Sequence, residues 1–142
     1  IITILMLVWF GLRPSQYINR ALYGDEGTLA SVKTQKKVID IIFRDAGDEP
    51  FDLYVYTPPV YTYVWDHQLL WYAKANYANY PLDYGYQRGT AIHNTTYLLI
   101  EPDEYASRIE GWKGNLALRG KPVRIWNLPS GIRIEKWGSN LQ

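Results

Sequence analysis

The sequence predicts an α/β fold: a small mixed sheet with a parallel βαβ core and a C-terminal antiparallel hairpin, preceded by the end of a transmembrane helix. Three observations predict it. Two β-rich runs, Phe51 to Thr57 and Tyr97 to Ile100, flank the stretch Tyr61 to Ala75, which lacks Gly and Pro and carries helical spacing. Strands joined through a helical crossover favour parallel pairing. The closing segments Pro122 to Trp126 and Ile132 to Trp137 alternate apolar and polar residues around Asn127-Leu128-Pro129-Ser130-Gly131, which is hairpin patterning. The opening run from Ile1 to Leu12 contains no charged residue.

That opening run is the first element to justify. As a helix it covers roughly 18 Å, short of the roughly 30 Å hydrocarbon core of a bilayer, so alone it does not span. Trp9 and Phe10, then Gly11, Arg13, Pro14, Tyr17 and Arg20, have the order of residues leaving a bilayer. Residues 1–14 are therefore read as the last half of a spanning helix whose natural chain begins upstream. The competing readings are a buried core segment and the apolar region of a signal peptide, the latter opposed by Arg13-Pro14 where a small-residue cleavage site would stand. Residues 13–30 mix Pro, Ser, Asn, Gly and acidic residues without a period, and 15–31 read as a connector.

Residues 32–142 are expected to form one soluble domain. From Val32 the apolar positions Val38, Ile39, Ile42, Phe43 and Ala46 share one helical face, with Lys33, Lys36, Lys37, Asp40 and Arg44 opposite, and Gly47 ends the helix. The first strand stops at Pro58-Pro59, where amide donors are missing. In the next helix Val64, Trp65, Leu69, Tyr72 and Ala73 share a face while Leu70 and Trp71 point elsewhere, so burial of more than one side is expected. Asn76 to Thr95 shows neither period and reads as a long aromatic loop. Tyr97 to Ile100 is the continuous apolar run of a strand buried on both faces, and Asp103 is expected to cap the helix that follows. That helix carries Tyr105, Ile109, Trp112 and Leu116 on one stripe and stops near Gly120, with Arg119 complementing its dipole.

Composition restricts function. With 142 residues, of which 47% are hydrophobic, the chain supports one domain with a real core. Lys and Arg number 15 against 14 Asp and Glu, so no overall field gathers nucleic acid. The absence of Cys excludes disulfides, thiolate nucleophiles and Cys-ligated zinc. A dinucleotide would need glycines at a strand-to-helix turn, but the first such turn is Thr57-Pro58-Pro59-Val60 and the second, Glu101-Pro102-Asp103, is acidic. No cofactor is expected. His67 and His93 are the only histidines, and Asp66 points about 100° away from His67 on a helix, so a metal site is not expected either.

Glu101 and Asp103 flank a proline at the carboxyl end of a strand, a position where α/β proteins place active groups. They are read instead as helix-start carboxylates facing the positive end of the dipole, since no His, Lys or Ser in the local sequence completes an acid–base set. No catalytic residue is assigned. Asn94-Thr95-Thr96 fits a glycosylation sequon, a pattern that also arises by chance.

Aromatic residues are the compositional oddity, with 13 Tyr and 6 Trp but only 3 Phe. The series includes Tyr54, Tyr56, Tyr61, Tyr63, Trp65, Trp71, Tyr72, Tyr77, Tyr80, Tyr84 and Tyr86. Rings with a polar edge suit the C–H faces and hydroxyls of sugars, and they suit membrane and protein interfaces as well. Tyr61, Trp65, Trp71, Tyr72, Tyr80, Tyr84 and Tyr86 are the candidate glycan or interface contacts.

The stretch from the acidic-Ala-Gly turn through Phe51, the run Tyr54-Val55-Tyr56-Thr57-Pro58-Pro59-Val60-Tyr61 and the helical Leu69-Leu70-Trp71-Tyr72 carries a resemblance. It resembles the carboxy-terminal extracytoplasmic domain of polytopic GT-C-type membrane glycosyltransferases, the dolichyl-phosphate-mannose mannosyltransferase-like and aminoarabinose-transferase-like proteins. Tyr97-Leu98-Leu99-Ile100-Glu101-Pro102-Asp103 and Ile132-Arg133-Ile134-Glu135-Lys136-Trp137 extend the likeness over most of residues 30 to 137. The resemblance implies a lipid-phosphate-linked sugar donor, transfer outside the cytoplasm, and a catalytic acidic residue in an early loop that this chain lacks. The domain would then contribute to acceptor binding or brace the membrane part. Its partners would be the missing transmembrane domain of the same protein, the membrane, and a glycan or lipid-linked sugar, without nucleic acid. The other expectation is a membrane-tethered glycan- or protein-binding module, and a third is a small independent enzyme using Glu101 or Asp103.

Overall fold

The computed structural model describes residues 18, 27–29, 31–58, 61–79, 83–85 (backbone only), 94–116 and 118–138. Residues 1–14, read as the end of a spanning helix, lie outside the described residues, as does most of the connector. No helix among the described residues is long and apolar enough to cross a membrane.

The chain forms a mixed α/β sheet sandwiched between helices. Helix α1 spans Val32–Ala46 and ends where Gly47, at φ +61°, donates its N–H to the Phe43 carbonyl at 3.0 Å. Its apolar stripe is the predicted one, since Val38, Ile39, Ile42 and Phe43 are all buried. Strand β1 is Asp52–Tyr56 and is buried on both faces. Helix α2 is composite, with an α segment Tyr63–Gln68, a π segment Leu69–Ala73 and a last α turn Lys74–Asn76. The Lys74 N–H reaches back to the Leu69 carbonyl, the wider ring of a π turn. Strand β2 (Asp83–Gly85) follows, then β3 (Thr95–Ile100), helix α3 (Ala106–Gly114), β4 (Arg124–Asn127) and β5 (Arg133–Gly138).

The sheet order is β2-β1-β3-β5-β4. β1 runs parallel to both β2 and β3, whereas β5 lies antiparallel to β3 and to β4. The βαβ core and the terminal hairpin are thus as the patterning predicts, with the hairpin folded so that its second strand meets β3. One strand lies inside the segment read as a loop. β2 has only three residues, too few for a period to declare itself, and it exists because β1 offers a free parallel edge, pairing Leu53 with Tyr84.

Two apolar layers fill the sandwich. On one face, α1 and α2 cover Leu53, Val55, Tyr97, Leu99 and Ile134, joined by Phe43, Phe51, Trp65 and Leu69. Phe51 sits edge-on to Phe43 and to Tyr97, with ring centroids 5.2 and 5.3 Å apart. Each of these large side chains contributes about 1.5–3 kcal/mol by leaving water. The other face packs Tyr54, Tyr56, Leu98 and Ile100 against Trp112 and Leu116, with Ile109 alongside.

Two expectations for α3 are corrected. The helix starts after Tyr105, which is itself the N-cap, so Asp103 lies two residues before that position and instead accepts the Tyr105 N–H at 2.8 Å. It ends at Gly114 rather than near Gly120, because Gly111 and Gly114 are poor helix formers, and Lys113 rather than Arg119 is the cation of its last turn. The expected second buried side of α2 is also corrected, since Leu70 and Trp71 are both exposed.

Polar clasps tie the layers together. Asp45 of α1 receives the Tyr97 hydroxyl and the Lys136 ammonium at 2.8 Å each, and Arg124 at 2.9 Å, so one carboxylate links three strands to the helix. Gln68 donates to the Gln35 side chain at 2.9 Å, joining α2 to α1.

Candidate functional site

β1 and β3 are adjacent and parallel, yet the helices that follow them pack on opposite faces, α2 on one and α3 on the other. Their carboxyl ends therefore form a topological switch point, the place where open α/β sheets leave a crevice for ligands. The Glu101 N–H donates to the Tyr56 carbonyl at 3.0 Å, extending the ladder past the strand end and fixing both acidic residues at this crevice.

Glu101 and Asp103 have opposite environments. Burial pushes the Glu101 carboxyl above its usual range, opposed by the Trp65 indole N–H that donates to Oε1 at 2.8 Å. Asp103 is held below its usual range, first by the Tyr56 hydroxyl at 2.5 Å and then by the Tyr105 N–H, with Arg108 3.8 Å away. Carboxyls pushed apart in this way can divide acid and base roles. Here both oxygens of Asp103 are already occupied, by the Tyr56 hydroxyl from β1 and the Tyr105 N–H of its own loop, and Glu101 is clamped by the core tryptophan. The arrangement locks the two strand-to-helix connections in place.

Aromatic side chains crowd the α2 side of the crevice. The Tyr61 and Tyr63 rings stack with centroids 5.6 Å apart and planes 13° from parallel, and both are exposed. Further along the same helix Val64, Leu70 and Trp71 are exposed, with the His67 ring 6.0 Å from Trp71. The Lys36 ammonium lies 4.8 Å from the Trp71 ring and 5.0 Å from that of Tyr72. The π segment carries Leu70 and Trp71 outward while Leu69 and Ala73 stay in the core.

Of the seven sequence-selected contacts, the structure brings Tyr61 and Trp71 to this open surface. Trp65 does not belong with them. It is 1% exposed, its ring sits in the core, and only its N–H is used, toward Glu101. Tyr72 is half-buried in the α1–α2 seam, its hydroxyl donating to Asp40 at 2.9 Å. Tyr84 is described only as a backbone position in β2, and Tyr80 and Tyr86 lie outside the described residues. Tyr63, which the selection omitted, stands beside Tyr61. Its spacing from His67, Leu70 and Trp71 is that of one helical face, a signal present in the sequence but hidden by treating the face as a second buried side.

His67 is exposed and His93 lies outside the described residues; among the described residues no group of three His, Asp or Glu could hold a metal ion. Asn94 is exposed immediately before β3. No known protein family, curated protein or solved structure matches the chain.

Proposed function

We propose that this chain is the non-catalytic extracytoplasmic domain of a membrane glycosyltransferase using a lipid-phosphate-linked sugar donor, and that it contributes to acceptor binding or braces the membrane domain. The observation that carries the reading is the exposed aromatic face of α2. Stacked Tyr61 and Tyr63, with Leu70 and Trp71 further along, leave in solvent rings that a purely structural helix would bury. Such rings cover the C–H faces of sugars or the apolar rim of a membrane-embedded partner while their hydroxyl and indole edges remain hydrogen-bonded. The clasped state of Glu101 and Asp103 supports a binding or bracing role over a catalytic one. The sequence resemblance supports the transferase setting.

The full open reading frame tests the setting: several further hydrophobic spans upstream fit a polytopic transferase, and a single span fits the alternative, a tethered glycan- or protein-binding module. In the full-length protein, Tyr63→Ala with Trp71→Ala is expected to raise the acceptor KM severalfold while leaving donor binding unchanged. Unaltered transfer kinetics in that double variant would remove the α2 face from acceptor recognition.

A further inference from the structure

We propose that a cavity on the opposite side of the sheet, between the last turn of α3 and β5, binds a single neutral sugar ring. It is an open pocket of about 380 Å³, bordered by Glu110 and Lys113 of α3, Pro122 of the following loop, and Arg133, Glu135 and Trp137 of β5. One water needs only about 10–15 Å³ of such space, so the pocket has room for a pyranose ring. The site shares no residue with the aromatic face of α2.

Period-two spacing puts Arg133, Glu135 and Trp137 on one side of β5. Glu135 is fully buried and organises the wall. Its Oε1 receives the Lys113 ammonium at 2.8 Å and the Arg133 guanidinium at 2.7 Å, and its Oε2 receives the Trp137 indole N–H at 3.0 Å. Glu110 stands 3.6 Å from Lys113 and is well exposed. Two cations thus meet two carboxylates, so the wall has no net charge with which to select a free anion or cation.

The wall does offer donors and acceptors, the donors held by their bonds to Glu135. A guanidinium carries five N–H groups, and Arg133, only partly occupied by Glu135, remains 44% exposed at the cavity. Glu110 supplies an acceptor at the rim. A sugar hydroxyl both donates and accepts, which suits this mixture better than any single charge does. Trp137 and Pro122 supply apolar planes for the C–H face of a pyranose, and the hydrogen bond to Glu135 holds the indole in one orientation before any ligand arrives. Side chains already immobilised lose little freedom on binding.

The test follows the indole N–H resonance of Trp137 by NMR in the full chain, assigned with Trp137→Phe, during separate titrations with D-glucose, D-mannose and D-galactose into the millimolar range. At least one sugar is expected to give a saturable shift. Gly114 lines the same cavity, and a Cβ there meets no atom within 4 Å, so Gly114→Leu fills space without removing any contact. That variant is expected to keep the native circular dichroism spectrum and weaken binding roughly tenfold or more, whereas Tyr63→Ala leaves it intact. The inference is overturned if no sugar shifts the resonance, if the shift survives Gly114→Leu, or if inorganic phosphate reproduces it.

Discussion

The Trp65 indole N–H donates to Glu101 Oε1 at 2.8 Å, joining the first turn of α2 to the residue just beyond β3. The bond survives replacement of the carboxylate by an amide, but the charge does not. In the fold the raised Glu101 carboxyl disfavours ionisation, so native protein retains a proton that unfolded chain releases. Stability from this group is complete below its ordinary value of 4.5 and falls as pH rises through the raised one. Glu101→Gln should therefore match the parent in acid and melt higher than it at neutral pH. Thermal unfolding across that range checks the sign.

Asp45 runs the other way. Burial alone would raise its carboxyl, but the Lys136 and Tyr97 donors together with Arg124 outweigh it and hold the group below 3.8. Its stabilisation is present above that value and disappears as pH falls through the lowered one. Asp45→Ala leaves the Tyr97 hydroxyl and the Lys136 ammonium without their acceptor and should cost about 2 kcal/mol at neutral pH by urea unfolding, with little cost in strong acid.

Burial and hydrogen bonding to Asp40 push the Tyr77 hydroxyl up to about 12, and burial with Asp45 pushes Tyr97 up as well. Both native hydroxyls keep protons that an unfolded chain loses near 10, so stability declines as pH rises above 10. Absorbance titration of the phenolates should show a late component that collapses into the main one in urea. Tyr77→Phe should reduce the amplitude of that component.

Phe51 is fully buried between two aromatic neighbours and precedes the most buried strand. Phe51→Ala opens a cavity between Phe43 and Tyr97 and should cost about 3–5 kcal/mol. Chemical denaturation measures it directly.

Much of the fold was legible because it rests on periodicity. The α1 stripe of Val38, Ile39, Ile42 and Phe43, the two-sided burial of Tyr97 to Ile100, and the alternation through Ile132 to Trp137 each declare one element. β2 was not legible, since three residues at a parallel edge are selected by their partner strand rather than by their own pattern. The candidate surfaces were legible only in part. Aromatic identity marked Tyr61 and Trp71 together with Trp65, although helical spacing already sets Trp65 on the face with Leu69 and Ala73 that the structure buries. The pocket near Trp137 was not legible, because its members come from α3, the loop after it and β5, and only the fold brings them together.

The two faces of the sheet are covered unequally, by a 15-residue helix with its companion α2 on one side and by the nine-residue α3 on the other. Amide exchange should reveal this as two separate protection levels. The α3 layer can detach in a local opening while α1, β1 and β3 remain intact, since its apolar anchor is mainly Trp112 and Leu116. Lys113 leaves with it, abandoning Glu135. Anything seated beside Trp137 would consequently slow deuterium uptake in α3 selectively, leaving exchange in α1 unchanged.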